Sequence, residues 1–221
     1  MMKPEDVAQF LSEHPDFLHQ RPDLLRLLEI PHLQDGQAIS LVERQSLILR
    51  ERVRALESRL AEMIRNGEEN DLIVDKLVHW ARSILAQPDA AQLPATLITE
   101  LKSGFAVPFA AVRMWNVREE YAALDFAAPV GEDAVRLAAS MVAPFCGSNV
   151  GFDAAAWMSA DPAMIKSLAM LPLRVGVGTD AFGMLVLGSP DKDRFQITMG
   201  TAFLARIAEL SSAALARLRR H

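Results

Sequence analysis

Residues 41–86 contain no proline and a single glycine, Gly67. The spacing of Ser40 and Glu43 fits a capping box, in which each side chain can accept a hydrogen bond from the other residue's backbone amide. Pro88 cannot continue a helix and disfavours helical geometry in the residue before it. The sequence therefore predicts one helix over 40–87, about 70 Å long if it is unbroken at Gly67. Such a helix is longer than a small domain is wide, so part of it must leave its own domain.

The first part of this helix carries apolar residues at alternating steps of four and three, which is the spacing of a coiled coil. Charged residues flank this narrow seam, and in a parallel pair Arg52 would face Glu57 of the other chain, an exposed contact worth little. A narrow seam suits one partner helix, so we expect a homodimer, parallel or antiparallel; the alternative is a helix folded back on its own chain. The predicted dimer interface consists of Val42, Leu49, Val53, Leu56, Leu60 and Met63.

The second part of the helix, after Asn66, is apolar over more than half of its circumference. This pattern predicts burial in a globular domain for Leu72, Ile73, Val74, Leu77, Val78, Trp80, Ala81, Ile84 and Leu85. The predicted organisation is therefore short helices in 1–36, the long helix in 37–87 and a globular domain in 88–221. The second half of the long helix is expected to pack on that domain.

The composition restricts the class of function. A formal net charge of −5 in 221 residues argues against general nucleic-acid binding, which requires a basic surface. The single cysteine, Cys146, excludes an internal disulfide and a cysteine-based zinc site. The acidic and polar amino terminus does not resemble a signal peptide, and no apolar run approaches the ~20 residues of a membrane helix. We expect a soluble, cytoplasmic protein with no membrane association and no metal site.

The pattern over 88–221 alternates helices and strands. A β-hairpin gives the clearest signal, because two apolar runs flank the glycine-rich segment 176–180. The other interpretation of these glycines, a phosphate loop, is not favoured because no lysine and no helix follow. The predicted elements are a helix ending near Gly104, strands over Phe109–Val117 and Tyr121–Phe126, a helix over Gly131–Val142, the hairpin strands Ser167–Val175 and Ala181–Leu187, and a last helix from Thr198.

The hairpin residues 167–173 and 182–189, followed by Arg194-Phe195, resemble the last two strands of a GAF domain. That resemblance implies a six-stranded antiparallel sheet with helices on both faces. The whole chain also resembles the bacterial DUF484 family of unknown function, which implies the fold and dimerisation but no ligand. The resemblance rests on Phe10-Leu11, His14-Pro15-Asp16-Phe17, Pro31-His32, Ser40 to Gln45, Cys146-Gly147, Gly188-Ser189-Pro190-Asp191 and Met199-Gly200-Thr201. The predicted class is α+β: a GAF-like antiparallel sheet flanked by helices, preceded by a long dimerising helix and small N-terminal helices.

The GAF resemblance also suggests where a ligand would bind, namely the sheet face under residues 131–157. The residues predicted to line this pocket are Arg113, Trp115, Phe126, Phe145, Cys146 and Trp157. Arg113 is the main candidate, because a cation at an inward strand position needs an anionic partner or ligand. The alternative is that Arg113 points to solvent or meets an acid such as Asp125. The signature of cyclic-nucleotide binding cannot be placed in this sequence, so the identity of any cofactor stays unknown at this point.

Three functions follow from these features. The first is a non-enzymatic dimeric module that senses a small molecule and signals to a separate protein. The second is a ligand-free dimeric scaffold for a protein partner. The third, less favoured, is a redox enzyme that uses Cys146, since one branch of the GAF fold reduces methionine sulfoxide. That reaction ordinarily needs a second thiol, which this chain lacks.

Overall fold

The computed structural model describes residues 3–27, 29–31, 38–176, 180–196 and 201–220. The chain divides into two compact units, residues 1–70 and 71–221. One long helix, α4 (Leu41–Ala86), contributes residues to both units. It begins directly after Ser40 and ends shortly before Pro88, as the sequence predicts, and it is not broken at Gly67.

The first unit contains the predicted short helices, and their starts follow from the sequence. Proline occupies the first turn of α1 (Pro4–Glu13), and the Asp6 carboxylate accepts from the Lys3 backbone amide at 3.0 Å. The next helices are α2 (Phe17–Gln20) and α3 (Pro22–Leu27). A short antiparallel pair, β1 (Glu29–Pro31) and β2 (Ala38–Ser40), was not predicted, because the proline there indicated a loop. The rest of that predicted loop lies outside the described residues.

The second unit is built on an antiparallel sheet in the order β3, β6, β5, β4. Its strands are β3 (Phe109–Met114), β4 (Phe145–Ser148), β5 (Ser167–Arg174) and β6 (Ala181–Ser189). The described part of the sheet therefore has four strands, where the resemblance implied six. The β5–β6 hairpin is confirmed, and part of its predicted turn lies outside the described residues.

The strand predicted over 121–126 is wrong. This segment instead contains single turns of 3-10 helix, Glu119–Tyr121 and Asp125–Ala127. The backbone satisfies its hydrogen bonds inside these turns: the amide of Ala122 donates to Glu119 at 3.1 Å, and that of Ala128 donates to Asp125 at 3.0 Å. Backbone groups that are paired within such turns do not form the hydrogen bonds of a strand pair.

Helices cover both faces of this sheet. The apolar cluster on one face, the α5 face, joins α5 (Leu93–Gly104), α7 (Ala202–Leu215) and the end of α4. The cluster on the other face, the α6 face, joins α6 (Glu132–Ser140) and a 3-10 helix, Asp153–Trp157. Alternate residues of each strand contribute to opposite clusters, because side chains along a strand point alternately to the two faces.

The second half of α4 is buried along a single face. Leu77, Trp80 and Ile84 are buried, and the indole N–H of Trp80 donates to the carbonyl of Leu97 at 3.1 Å. The sequence predicted burial for nine residues in this half of the helix. That prediction is wrong for Leu72, Ile73, Val74, Val78 and Leu85, which are exposed. A helix that lies on one side of a domain contacts it through one stripe. Leu77, Trp80 and Ile84 form that stripe here.

Candidate functional site

The strand register divides the six predicted pocket residues between the two faces of the sheet. Arg113 pairs with Met184, and Phe145 pairs with Met170, so both strand positions belong to the α6 face. Trp115 and Trp157 also pack against the cluster on that face. Cys146 and Phe126 instead belong to the cluster on the α5 face. Four of the six residues therefore share a face, and two lie behind the sheet.

The charge of Arg113 is neutralised within the chain. Its guanidinium donates to both carboxylate oxygens of Asp125, at 3.0 and 3.3 Å. The Arg113 side chain is 13% exposed and that of Asp125 is 90% exposed. Of the alternatives considered for Arg113, a ligand, solvent or an acid such as Asp125, the structure therefore shows the ion pair with Asp125. An anionic ligand is not needed to offset its burial.

A small cavity of about 210 Å³ lies on the α6 face. Met170 and Met184 contribute the sheet side of its wall, and α6 and the segment after Asn149 contribute the rest. Its lining residues are Asp133, Ala134, Leu137, Gly151, Phe152, Asp153, Ala154, Met170 and Met184. None of the six predicted residues lines it. Strand alternation could have placed Met170 and Met184 on a common face, but no local pattern shows that a gap remains above them.

Asn149 organises the turn that forms one wall of this cavity. Its side-chain oxygen accepts from the amides of Gly151 and Phe152 at 3.1 and 3.3 Å, and its side-chain nitrogen donates to the carbonyl of Ile165 at 2.9 Å. Gly151 has a φ of +96°, a conformation that favours glycine. The turn therefore holds Phe152 beside α6. The cavity lining contains two carboxylates, Asp133 and Asp153, and the guanidinium of Arg136 pairs with the carboxylate of Asp133.

A larger hollow of about 800 Å³ lies between α7, the end of β5 and residues 139–144. Arg174 lines this hollow, and its guanidinium donates to the carbonyls of Ala138 and Ala139 at 2.7 and 3.0 Å. These carbonyls lie at the carboxyl end of α6, where a cation also complements the helix dipole. The group thus has a structural role, and most of the remaining lining consists of small apolar side chains.

Cys146 lies in a poor environment for a nucleophile. The side chain is buried on β4, opposite Ala169 of β5, and burial raises the pKa of its thiol. The thiolate is the reactive form of cysteine, so this environment disfavours nucleophilic and redox chemistry. The thiol also stays protonated to a higher pH in the folded chain than in the unfolded one.

Cys146 should therefore resist alkylation in the folded protein. We expect iodoacetamide to label it at pH 8 at least about tenfold more slowly in buffer than in denaturant, because labelling requires local opening. The measurement is the rate of mass increase under each condition. Equally fast labelling in the two conditions would show an accessible thiol and would revive the enzymatic alternative.

The predicted dimer seam is exposed in the first unit. Leu49, Val53, Leu56, Leu60 and Met63 are each more than half exposed. The side chain of Val42 lies outside the described residues. Large apolar side chains in an unbroken row on a helix surface are typical of an interaction site, whereas isolated ones are not.

The described residues contain no group of three or more histidine, cysteine, aspartate or glutamate side chains placed to hold a metal ion. Within the same part of the chain, every helix is too short or too polar to cross a membrane. The cavity on the α6 face and the exposed seam of α4 are the two candidate sites that agree with the positions predicted from the sequence for a ligand and for a dimer.

The chain belongs to the family described as "Protein of unknown function, DUF484", which it matches over residues 1–220. Comparison with curated proteins gives no match.

Solved structures similar to the chain include GAF domains and a sulfoxide reductase. The GAF domain of a putative sensor histidine kinase from Pseudomonas syringae pv. tomato has 16% identity and a TM-score of 0.44, with 69% of this chain and 91% of that chain covered. The A. aeolicus nlh2 GAF domain has 13% identity and a TM-score of 0.49, with 67% and 98% covered. Free methionine-R-sulfoxide reductase from Neisseria meningitidis has 14% identity and a TM-score of 0.46, with 65% and 88% covered. The α+β class and the antiparallel sheet flanked by helices agree with the GAF-like fold expected from the sequence.

Proposed function

We propose that this DUF484 protein is a non-enzymatic, homodimeric GAF-like module that senses a small molecule and signals to a separate protein. The observation that carries the proposal is the exposed seam of α4, from Leu49 to Met63. Full burial of a large aliphatic side chain is worth about 1.5–3 kcal/mol. Burial of the two seams against each other would therefore contribute on the order of 10 kcal/mol of favourable free energy, which is enough to offset a typical free-energy cost of association.

The ligand site in this proposal is the cavity on the α6 face. Its volume of about 210 Å³ lies below the roughly 300–1,000 Å³ of pockets for drug-sized ligands, so the ligand is small. Most of the lining is apolar; of its two carboxylates, that of Asp133 is 85% exposed and pairs with Arg136, and Asp153 is exposed as well. This chemistry suits a small apolar molecule, in place of the anion that Arg113 suggested.

The strands under the cavity connect it physically to α4. Met170 and Met184 line the cavity, while their neighbours Leu171 and Leu185 point to the opposite face of the sheet. Those two leucines belong to the same apolar cluster as Trp80 of α4. A ligand seated on β5 and β6 would thus act on a sheet whose other side holds α4, and α4 carries the seam.

A ligand-free scaffold is the second candidate, and one observation favours it. The pairing of Arg113 with Asp125 removes the strongest polar reason to expect a ligand on the sheet. In that case the GAF-like unit would serve only to hold a dimer that binds a protein partner.

Native mass spectrometry of the full chain tests both parts of the proposal. We expect wild-type protein to be a dimer that carries a discrete additional mass. Leu60→Glu should weaken the dimer by at least about 100-fold, because each chain then places a carboxylate in the seam. The matched control is Ala61→Glu, an exposed position one residue along the same helix, which should remain a dimer.

The outcomes separate the alternatives. A monomeric wild type, or equal behaviour of the two glutamate variants, would refute the seam as the dimer interface. A dimer without additional mass would refute ligand sensing and favour the scaffold. Additional mass on the Leu60→Glu monomer would place the ligand within a single chain.

A further inference from the structure

The hollow of about 800 Å³ lies within the second unit and is separate from the cavity on the α6 face. The two spaces share no lining residue. The hollow is bounded by α7, by the end of β5 and by residues 139–144, which include the end of α6 and lead to β4. Its volume falls within the roughly 300–1,000 Å³ of pockets for small organic ligands. The proposed function makes no use of it.

The hollow exists because β5 is longer than its pairing with β4. The pairing stops at Phe145 and Met170, whereas β5 continues to Arg174. Beyond Met170, the strand end and residues 141–144 form separate walls of the hollow. The wall formed by α7 consists mainly of small side chains, which leave the space unfilled. They are Ala205, Ala208, Ser212, Ala213 and Ala216.

Arg174 is the basic side chain of this hollow, and its charge has no carboxylate partner among the described residues. The guanidinium uses Nη2 for the carbonyls of Ala138 and Ala139, while Nε is buried and has no hydrogen-bond partner. Each ion pair of the described residues involves another arginine, as between Arg113 and Asp125. The carboxyl end of α6 offsets only about half an elementary charge. A half-buried cation without a counter-ion therefore favours an anion from outside the chain.

Contacts within the chain fix the position of Arg174. Its backbone amide donates to the hydroxyl of Ser212 on α7 at 3.0 Å, and its side chain is held at the end of α6. The remaining terminal nitrogen, Nη1, takes part in none of these hydrogen bonds. Glu209 is the other charged side chain of the lining, but it is exposed, so water and salt screen its carboxylate. The charge that the hollow holds in place is therefore positive.

We propose that this hollow binds an amphipathic carboxylate of the fatty-acid type. The carboxylate lies at Nη1 of Arg174, where it supplies the missing counter-ion through charge-assisted hydrogen bonds. A single guanidinium matches one negative charge, which favours a carboxylate over a phosphate with a charge of about −1.5 to −2. The apolar chain of the ligand lies against the alanines of α7 and against Val142, which is 96% exposed without a ligand. The proposal does not depend on the dimer or on the cavity on the α6 face.

Isothermal titration calorimetry of the full chain with octanoate tests the proposal. The matched probe is 1-octanol, which has the same apolar chain without the charge. We expect octanoate to bind at least about tenfold more tightly, because the alcohol leaves Arg174 without a counter-ion. Arg174→Lys should keep this preference, and Arg174→Met should remove it. Glu209→Gln removes a negative charge from the lining and should bind octanoate at least as tightly as wild type.

A second pair of variants locates the site without altering Arg174, whose side chain also holds the end of α6. Ala213→Trp places a large ring in the hollow from an exposed position of α7, and it should weaken octanoate binding at least about tenfold. Ala202→Trp is the matched control, because Ala202 is exposed on the same helix and lies outside the lining. This control should bind octanoate like wild type.

The outcomes decide the proposal. A preference for octanoate that persists in Arg174→Lys, together with weak binding by Ala213→Trp alone among the tryptophan variants, supports it. Wild type that binds no octanoate, or binds octanoate and 1-octanol equally, overturns it. Octanoate binding that is the same in Ala213→Trp and Ala202→Trp places the probe elsewhere and also overturns it. Weaker binding by Glu209→Gln would contradict an anionic ligand.

Discussion

Trp80→Ala should lower the free energy of unfolding by about 3–5 kcal/mol, the usual cost of removing a buried aromatic side chain. The Trp80 side chain is 1% exposed and belongs to the cluster that joins α4, α5 and the sheet. The substitution leaves a large cavity and removes the indole hydrogen bond to the carbonyl of Leu97. Urea unfolding of the full chain, followed by far-ultraviolet circular dichroism, measures the change.

Leu72→Ala is the matched control for this substitution. It lies on the same helix, removes a large apolar side chain and is 62% exposed, so its effect should stay within about 0.5 kcal/mol. A comparable loss from both variants would contradict the assignment of one buried face to this part of α4. A small effect from Trp80→Ala would show that α4 contributes little to the stability of the second unit.

This comparison also shows how far the sequence determines the long helix. Its ends were predictable because a capping box and a proline are local signals. Its buried face was not, because the second half is apolar in several directions and the count of apolar residues does not say which stripe the domain covers. Leu77, Trp80 and Ile84 face inward because α5 and the sheet lie against them, and those contacts are distant in sequence.

For the candidate site, the sequence likewise predicted local features and missed those that depend on packing between distant segments. The sequence indicated that Arg113 needs an anionic partner or ligand, with an acid such as Asp125 as the alternative to the ligand, and the structure shows Asp125 as the partner. Simple alternation already implies that Phe145 and Cys146 point to opposite faces, and this rule would have removed Cys146 from the pocket. The cavity itself depends on how α6 and the Asn149 turn meet Met170 and Met184. That gap arises from packing between distant segments, so no motif marks it.

The other large effect concerns Gly183, where β6 approaches β3 closely. A Cβ atom at this position would lie 2.7 Å from the carbonyl oxygen of Arg113, 3.1 Å from Leu173 and 3.2 Å from Met114. The first contact is with backbone, so a strand must shift to accept it. The backbone hydrogen bond from Trp115 to Phe182, 2.9 Å long, lies directly beside this contact. The absence of a side chain thus allows β3 to hold Arg113 and Trp115 in place.

Gly183→Ala should therefore destabilise the chain by about 1–3 kcal/mol, the usual cost of overpacking, although alanine restricts the unfolded chain more than glycine does. Gly104→Ala is the control with the opposite expectation. Gly104 ends α5, and a Cβ atom added there would meet no atom within 4 Å, so alanine should be neutral or stabilise by up to about 1 kcal/mol. Urea unfolding of the two variants beside wild type gives the comparison. Equal stability of all three would mean that β3 and β6 separate at this point at little cost, and the strand pairing would then not be what fixes the position of Arg113.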